Sequence, residues 1–194
     1  KILPNFLKKY PEIKVQMMIT NRRVDIINEG FDLALRVRSS LDDDPNLVIR
    51  QFEKIEQHLF ASQGYLNEFG DLKNPEQLSE HKILSMAEDH PEQFLTLQNG
   101  QQEQKKIRVN PTVMGSDLNM LAQLAASGSG VTLLPDNVVE HYISSGELVR
   151  VLPDWKAPHG IFHAVYPSRR GLLPAVRVFI DYLVAELNHD NLNT

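Results

Sequence analysis

Apolar side chains recur at two different spacings over the first sixty residues, and these spacings predict alternating helices and strands. Apolar positions share one helical face over residues 2–9, and they alternate with polar positions over residues 13–19. The next segment, residues 22–29, fits a short helix that Gly30 would end. Such alternation favours an α/β fold with a largely parallel sheet. Further strands are predicted at 32–37, 47–52 and 57–61.

The rest of the chain carries residues that mark the ends of elements. Asp117 is placed to cap a helix over residues 118–127, and Asn99-Gly100 is typical of a hairpin turn. Pro174 opens a C-terminal helix whose apolar residues recur at helical spacing. Also predicted are helices at 64–69, 75–78 and up to about 143, and strands at 82–86, 94–97, 107–109, 131–134, 148–152 and 161–166.

The composition removes several classes of function. The chain of 194 residues has no cysteine, which excludes disulfides, zinc sites with thiolate ligands and a cysteine nucleophile. Its net charge is -5, whereas a domain that binds nucleic acid needs a basic face to neutralise phosphates. We therefore do not expect this stretch alone to bind DNA. No apolar run reaches the ~20 residues of a membrane helix.

No motif assembles a catalytic site or a metal site. His159 and His163 would lie ~13 Å apart along a predicted strand, which is too far for one metal ion. Asp42-Asp43-Asp44 lacks the alternating oxygens of a calcium loop and is interpreted as a solvated loop. His58 and His81 are interpreted as hydrogen-bonded structural histidines. We therefore expect no catalysis, no metal and no cofactor.

Seven short strings of residues occur in a fixed order along nearly the whole chain. Leu3-Pro4-Asn5-Phe6-Leu7 is followed by Tyr10-Pro11, and Val24-Asp25-Ile26-Ile27 by Glu29-Gly30-Phe31-Asp32-Leu33-Ala34-Leu35-Arg36. The other strings lie within residues 59–66, 75–81, 124–135, 146–155 and 166–181. Together they resemble the effector-binding domain, also called the substrate-binding domain, of LysR-type transcriptional regulators. One such string is weak, but seven in order are specific.

The resemblance implies a fold of two Rossmann-like lobes, of the type II periplasmic-binding-protein kind, joined by two crossover strands. The first lobe would comprise residues 1–61 and 162–194, and the second residues 62–161. The hinge would lie at Ala61-Ser62 and Phe162-His163. A small-molecule effector would bind in the cleft between the lobes. The family's usual first strand and its N-terminal helix-turn-helix are missing from this sequence, so DNA would be contacted only through that missing domain.

Candidate ligand contacts follow from position in this framework. The loop after a first-lobe strand carries a cation, Arg38, where many family members have Gly, and this charge hints at an anionic or aromatic acid as effector. The first turn of helix 118–127 offers backbone N–H groups to a carboxylate. Asp117 would oppose an anion there and is interpreted as the cap. The candidate contacts are Arg38, Ser39, Ser40, Ser116, Asp117, Leu134 and Pro135.

The resemblance also implies a mechanism and a set of partners. A ligand that favours one arrangement of the lobes would change how homodimers pack within a tetramer of the full-length cytoplasmic regulator. Helices 2–9 and 117–127 are the candidate dimer surfaces. A periplasmic solute-binding protein of a transporter is the main alternative, and a small α/β enzyme is a second one.

Overall fold

The computed structural model describes residues 2–20, 22, 24–41, 44–86, 93–168 and 173–190. The chain divides into two compact units, of which unit 1 comprises Lys1–Lys54 with Gly160–Thr194 and unit 2 comprises Ile55–His159. The helices are α1 (Ile2–Lys9), α2 (Gln63–Phe69), α3 (Leu118–Ala126), α4 (Asp136–Ser144) and α5 (Pro174–Asp190), with a 3-10 helix at Pro75–Ser79. The strands are β1 (Ala34–Arg38), β2 (Leu47–Ile55), β3 (Gln57–Ala61), β4 (Ile83–Met86), β5 (Gln93–Asn99), β6 (Gln104–Val109), β7 (Pro111–Gly115), β8 (Val131–Pro135), β9 (Val149–Val151), β10 (Trp155–Lys156) and β11 (Gly160–Pro167).

Unit 1 is built on a three-stranded sheet in the order β1-β11-β2. β1 and β11 pair antiparallel. The opening helix α1 packs on α5 through Phe6, whose ring centroid lies 4.9 Å from that of Phe179 and 5.4 Å from that of Tyr182. Phe6 is fully buried. The aromatic contact therefore anchors the helix that the opening pattern predicts.

The strand predicted at residues 13–19 is wrong. Residues 13–20 form neither helix nor strand, and Met17, Met18 and Ile19 expose 65%, 57% and 84% of their surface. A strand needs a neighbouring strand to satisfy its backbone hydrogen bonds. Within the described residues, β1 pairs with β11 and lies at an edge of its sheet. The apolar alternation is thus present here without the pairing that would make it a strand.

The helix predicted at residues 22–29 is also wrong, because the structure has only a turn over residues 26–30. The amide of Glu29 donates to the carbonyl of Asp25 at 2.9 Å, which closes one helical turn. The carboxylate of Asp25 accepts a hydrogen bond from the backbone amide of Asn28, and such side-chain bonds to nearby backbone compete with helix formation. Gly30 ends the turn with a φ of 76°, as predicted.

Unit 2 contains a five-stranded sheet in the order β7-β4-β8-β3-β9. β4 runs parallel to β7 and to β8, whereas β3 runs antiparallel to β8 and to β9. The α/β class is therefore confirmed, but the prediction of a largely parallel sheet is wrong. The prediction rested on alternating helices and strands, whereas β3 pairs with two strands distant in sequence, β8 and β9, and local spacing does not determine the direction of such pairing.

The two faces of this sheet are covered by separate apolar clusters. Because side chains alternate along β3, Leu59 belongs to one cluster and Phe60 to the other. The hairpin-side cluster around Leu59 takes in apolar residues of β5 and β6. The helix-side cluster around Phe60 takes in apolar residues of α3 and α4. Burial on both faces gives unit 2 an extensive core.

The hairpin predicted at Asn99-Gly100 is confirmed. β5 and β6 pair antiparallel, and the side-chain oxygen of Asn99 accepts hydrogen bonds from the amides of Gln101 and Glu103, each at 3.0 Å. β10 joins the same small sheet beside β5. Two short strands, β7 and β10, were not predicted.

The unit boundaries differ from the predicted lobe boundaries. The lobes were divided after residue 61, whereas residues 55–61 lie in unit 2. The physical reason is that β3 is paired on both sides by strands of unit 2, β8 and β9. Ala61-Ser62 thus lies inside unit 2, and Phe162-His163 lies inside a strand of unit 1. The hinge assignment stays a prediction.

Candidate functional site

The unit 1 candidates lie at the end of β1, and the sequence predicts all three in the following loop, whereas Arg38 still belongs to the strand. Arg38 is the last residue of β1 and pairs with Ile161 of β11. Its guanidinium is exposed, and Nη1 donates to the carbonyl of Val37 at 3.2 Å. Ser39 and Ser40 follow in an exposed bend. The sheet therefore presents one cation and two hydroxyls at a strand end.

The unit 2 candidates include the cap of α3. The carboxylate of Asp117 accepts hydrogen bonds from the amides of Asn119 at 2.8 Å and Met120 at 3.2 Å. This confirms the predicted capping role. Ser116 precedes it in an exposed bend. Because a carboxylate already holds two N–H groups of the first turn, an anionic ligand would compete with Asp117 there.

Leu134 and Pro135 occupy the end of β8, where the chain enters α4. Leu134 is fully buried in the helix-side cluster, and Pro135 is buried at the N-cap of α4. The structure gives Leu134 a core role, whereas the sequence predicted that it lines an apolar wall. Alternation along a strand identifies an inward face, but it does not distinguish a core from a ligand cavity.

The four predicted hinge residues have structural partners within their own units. Ser62 caps α2, since its hydroxyl accepts from the amide of Tyr65 at 3.2 Å, and Ala61 ends β3. In unit 1, the ring of Phe162 lies 5.2 Å from that of Phe52. Nδ1 of the fully buried His163 lies 2.8 Å from the carbonyl oxygen of Ile161. A carbonyl only accepts, so Nδ1 must carry the proton.

A charged network in unit 2 was not predicted. His58, from β3, places Nδ1 2.8 Å from a carboxylate oxygen of Asp136, the first residue of α4. Arg150, from β9, donates to the other oxygen of the same carboxylate at 3.0 Å. The network ties a helix to two strands. It confirms His58 as a hydrogen-bonded structural histidine, and its partner lies 78 residues away in sequence.

A second ion pair lies next to β3. Lys156 donates to the carboxylate of Glu56, and this hydrogen bond holds the pKa of Glu56 below its usual range. His81 is also hydrogen-bonded, as predicted, because its Nδ1 lies 3.1 Å from the hydroxyl of Tyr65. Burial lowers the pKa of His81. These groups therefore act in the structure of unit 2.

The described part of the chain has neither a membrane-spanning helix nor a metal-binding cluster. In it, no helix is both long enough and apolar enough to cross a membrane. Among the same residues, no three His, Asp or Glu side chains group around a point where they could hold a metal ion. The Asp42-Asp43-Asp44 prediction lies partly outside the described residues, which include only Asp44 of the three.

The sequence matches a family model over residues 1–188, and that family is described as the LysR substrate binding domain. An HTH-type transcriptional regulator of Xanthomonas campestris is 32% identical over 192 residues, which are 97% of this chain and 55% of that protein. The regulator DmlR of Escherichia coli K12 is 31% identical over 177 residues, 91% of this chain and 56% of that protein. The chain thus spans about half the length of these relatives.

Solved structures give the same result. The regulatory domain of AphB from Vibrio vulnificus is 30% identical with a TM-score of 0.79, over 95% of this chain and 90% of that one. The regulatory domain of CrgA from Neisseria meningitidis is 27% identical with a TM-score of 0.81, over 96% and 90%. These neighbours have the type II periplasmic-binding-protein-like fold, which confirms the predicted fold class.

The chain therefore belongs to the LysR substrate-binding domain family. The matched relatives are transcriptional regulators and not solute-binding proteins of transporters. The transporter alternative is thus wrong.

Proposed function

We propose that this domain senses an anionic small-molecule effector and catalyses no reaction. The exposed guanidinium of Arg38 at the end of β1 is the observation that carries the choice of an anion, since guanidinium pairs with carboxylates in bidentate geometry. Ser39 and Ser40 add hydroxyl donors beside it. Unit 2 would contribute the exposed Ser116, as the family resemblance implies, whereas Asp117 caps α3 and both Leu134 and Pro135 are buried.

A matched pair of compounds tests the charge of the effector. Benzoate should raise the melting temperature of the 194-residue chain, whereas benzamide at equal concentration should not, because only benzoate carries the anion. Arg38→Gln should remove the benzoate effect. Lys106→Gln, which removes an exposed cation from the hairpin of unit 2, should preserve it. Equal stabilisation by both compounds, or an unchanged benzoate effect in Arg38→Gln, would contradict the proposal.

We also propose that the signal is transmitted through association of subunits. The domain would form a homodimer, the full-length regulator a tetramer in the cytoplasm, and DNA would be bound through a separate N-terminal domain. α1 and α3 are the proposed dimer surfaces, and each exposes an apolar side chain, Leu7 at 37% and Met120 at 53%. Burial of these two side chains against a partner subunit would contribute to association.

Charge substitutions test the dimer surfaces. The double variant Leu7→Glu with Met120→Glu should sediment as a monomer while keeping the circular dichroism spectrum of the parent chain. Ile143→Glu is the matched control, because Ile143 is 41% exposed on α4, outside the proposed surfaces. Unchanged association in the double variant, measured by sedimentation velocity, would rule these helices out.

A further inference from the structure

A cavity of about 300 Å³ lies within unit 1. Among the described residues, its lining comprises residues 24–27, Arg36, Asp44 and Leu47, and the candidate effector contacts lie elsewhere. The volume is at the lower end of the range for small-molecule sites, so a ligand would have to be compact.

One wall of the cavity is the turn that replaces the predicted helix. Arg22 and Glu29 form an ion pair across the turn, with Nη1 donating to Oε1 at 2.8 Å, and the amide of Asp25 donates to the same oxygen at 3.1 Å. Asn28 donates through its backbone amide to the Asp25 carboxylate at 3.0 Å, which helps to hold the pKa of Asp25 below its usual range. This wall is therefore preformed and carries an ionised carboxylate.

Another wall is the loop that leads into β2. The carboxylate of Asp44 accepts from the backbone amide of Asn46 at 2.8 Å, and Leu47 donates to the carbonyl of Asp44 at 3.1 Å. The loop is also tied to the end of β11, since Ser168 donates from its amide to the carbonyl of Asn46 at 2.8 Å. This wall is thus held by local bonds and by the sheet.

Arg36 brings a positive charge to the same cavity. Its side chain is half-buried, and Nη2 donates to the carbonyl of Val24 at 2.7 Å, which links β1 to the first wall. A guanidinium stays charged at any physiological pH, whichever of its N–H groups are engaged. Among the described residues, the lining of the cavity therefore includes a cation, Arg36, two acidic residues, Asp25 and Asp44, and the apolar residues Val24, Ile26 and Leu47.

We propose that this cavity is a second ligand site, which binds a free α-amino acid with a short aliphatic side chain. The ammonium group of such a ligand complements Asp25 and Asp44, its carboxylate complements Arg36, and its side chain covers the apolar lining. A ligand that carries only a negative charge would be repelled by the two carboxylates, and a ligand that carries only a positive charge would be repelled by Arg36. A zwitterion is the small ligand that satisfies both signs of charge.

Three compounds with the same carbon skeleton test the proposal on the 194-residue chain. L-leucine carries both charges, 4-methylpentanoate lacks the amine, and 3-methylbutylamine lacks the carboxylate. In amide-detected NMR titrations, leucine should shift the amides of residues 24–27, Arg36 and Leu47, and it should bind about tenfold more tightly than either analogue, because each analogue loses one charge-assisted contact. An analogue that binds as tightly as leucine, or leucine shifts confined to other amides, would overturn the proposal.

Variants separate this site from the proposed effector site. Ile27→Trp should fill the cavity and weaken leucine binding about tenfold or more, and Asp44→Asn should weaken it by a smaller factor. Ile143→Trp is the control, because Ile27 and Ile143 are both 41% exposed and Ile143 lies in unit 2. Arg38→Gln should leave leucine binding unchanged. Loss of leucine binding in Arg38→Gln, with retention in Ile27→Trp, would assign leucine to the effector site and overturn the second site.

Discussion

The two units of the domain differ in how completely their sheets are covered. Unit 2 buries apolar side chains on both faces of a five-stranded sheet, in the hairpin-side and helix-side clusters. The described residues of unit 1 form a three-stranded sheet, and Leu35 and Val37 of its edge strand β1 remain 43% and 38% exposed. A sheet is stabilised by pairing at its edges and by cover on its faces, so the same alternation of residues has different consequences in the two units.

The largest effect should come from truncating the core of unit 2. Leu134→Ala should lower the free energy of unfolding by ~2–5 kcal/mol, because Leu134 is fully buried and its removal leaves a cavity. Met17→Ala in unit 1 should cost less than ~0.5 kcal/mol, since Met17 is 65% exposed. Urea unfolding followed by circular dichroism measures both.

The expected costs of Leu134→Ala and of Met17→Ala can be contradicted independently. A cost below ~1 kcal/mol for Leu134→Ala would place Leu134 at an open wall, as the sequence predicted, and not in the core. A cost for Met17→Ala close to that of Leu134→Ala would show that residues 13–19 are packed in solution.

The next largest effect on stability should come from a close approach between Gly130 and the backbone of Lys82 in unit 2. A Cβ added at Gly130 would lie 2.4 Å from the carbonyl oxygen of Lys82, where β8 meets β4. Gly130→Ala should therefore destabilise the chain by ~1–3 kcal/mol, since backbone must shift to relieve the overlap. Gly100→Ala is the matched control, because nothing lies within 4 Å of its added Cβ. Equal melting temperatures for the two variants would contradict the close approach.

The sequence predicted elements well where the determining interactions are local. The helix cap at Asp117, the hairpin at Asn99-Gly100 and the left-handed conformation of Gly30 all depend on neighbours within a few residues, and all three are confirmed, although Gly30 ends a turn and not the predicted helix. The strand at 13–19 failed because pairing is decided by distant residues. The short strand β7, which begins at a proline, gave no pattern long enough to detect.

The candidate site was predictable to a smaller extent. The position of Arg38 at a strand end follows from local pattern, and the structure places it there. The contact between His58 and Asp136 joins residues 78 positions apart, so no spacing in the sequence could indicate it. The cavity around Arg36 is formed by three separate segments, and its mixture of charges depends on how the turn and the loop fold.

The helix cap in unit 2 should have an intermediate effect. Asp117→Ala should cost ~0.5–2 kcal/mol, because two amides in the first turn of α3 lose their acceptor. Asp117→Asn should retain most of the stability, since the amide side chain keeps an oxygen for capping. Gln123→Ala, at an exposed position within α3, controls for helix propensity. A full loss in Asp117→Asn would mean that the charge, and not the cap geometry, stabilises this end of α3.

The smallest effect concerns the turn of unit 1, which is held by a surface ion pair. The Arg22 guanidinium, with hydrogen bonds to Glu29, lowers the pKa of Glu29 to about 2 from a reference value of 4.5. A lowered pKa means that the folded chain favours the carboxylate, so this stabilisation is present above pH 4.5 and is lost as the pH falls through about 2. Both groups are exposed, so the change in unfolding free energy should be small.

An NMR pH titration of the Glu29 side-chain carboxyl carbon measures this pKa directly. Arg22→Gln should raise the pKa of Glu29 towards its reference value, and Arg22→Lys should give an intermediate value, because lysine keeps the charge but not the paired N–H groups. An unchanged pKa of Glu29 in Arg22→Gln would show that the turn is fixed by its backbone bonds alone.

The same variant also tests the cavity of unit 1, since the Arg22–Glu29 pair holds the wall that carries Asp25. If the pair fixes that wall, Arg22→Gln should weaken leucine binding while leaving the helix-side cluster of unit 2 unperturbed in amide NMR spectra.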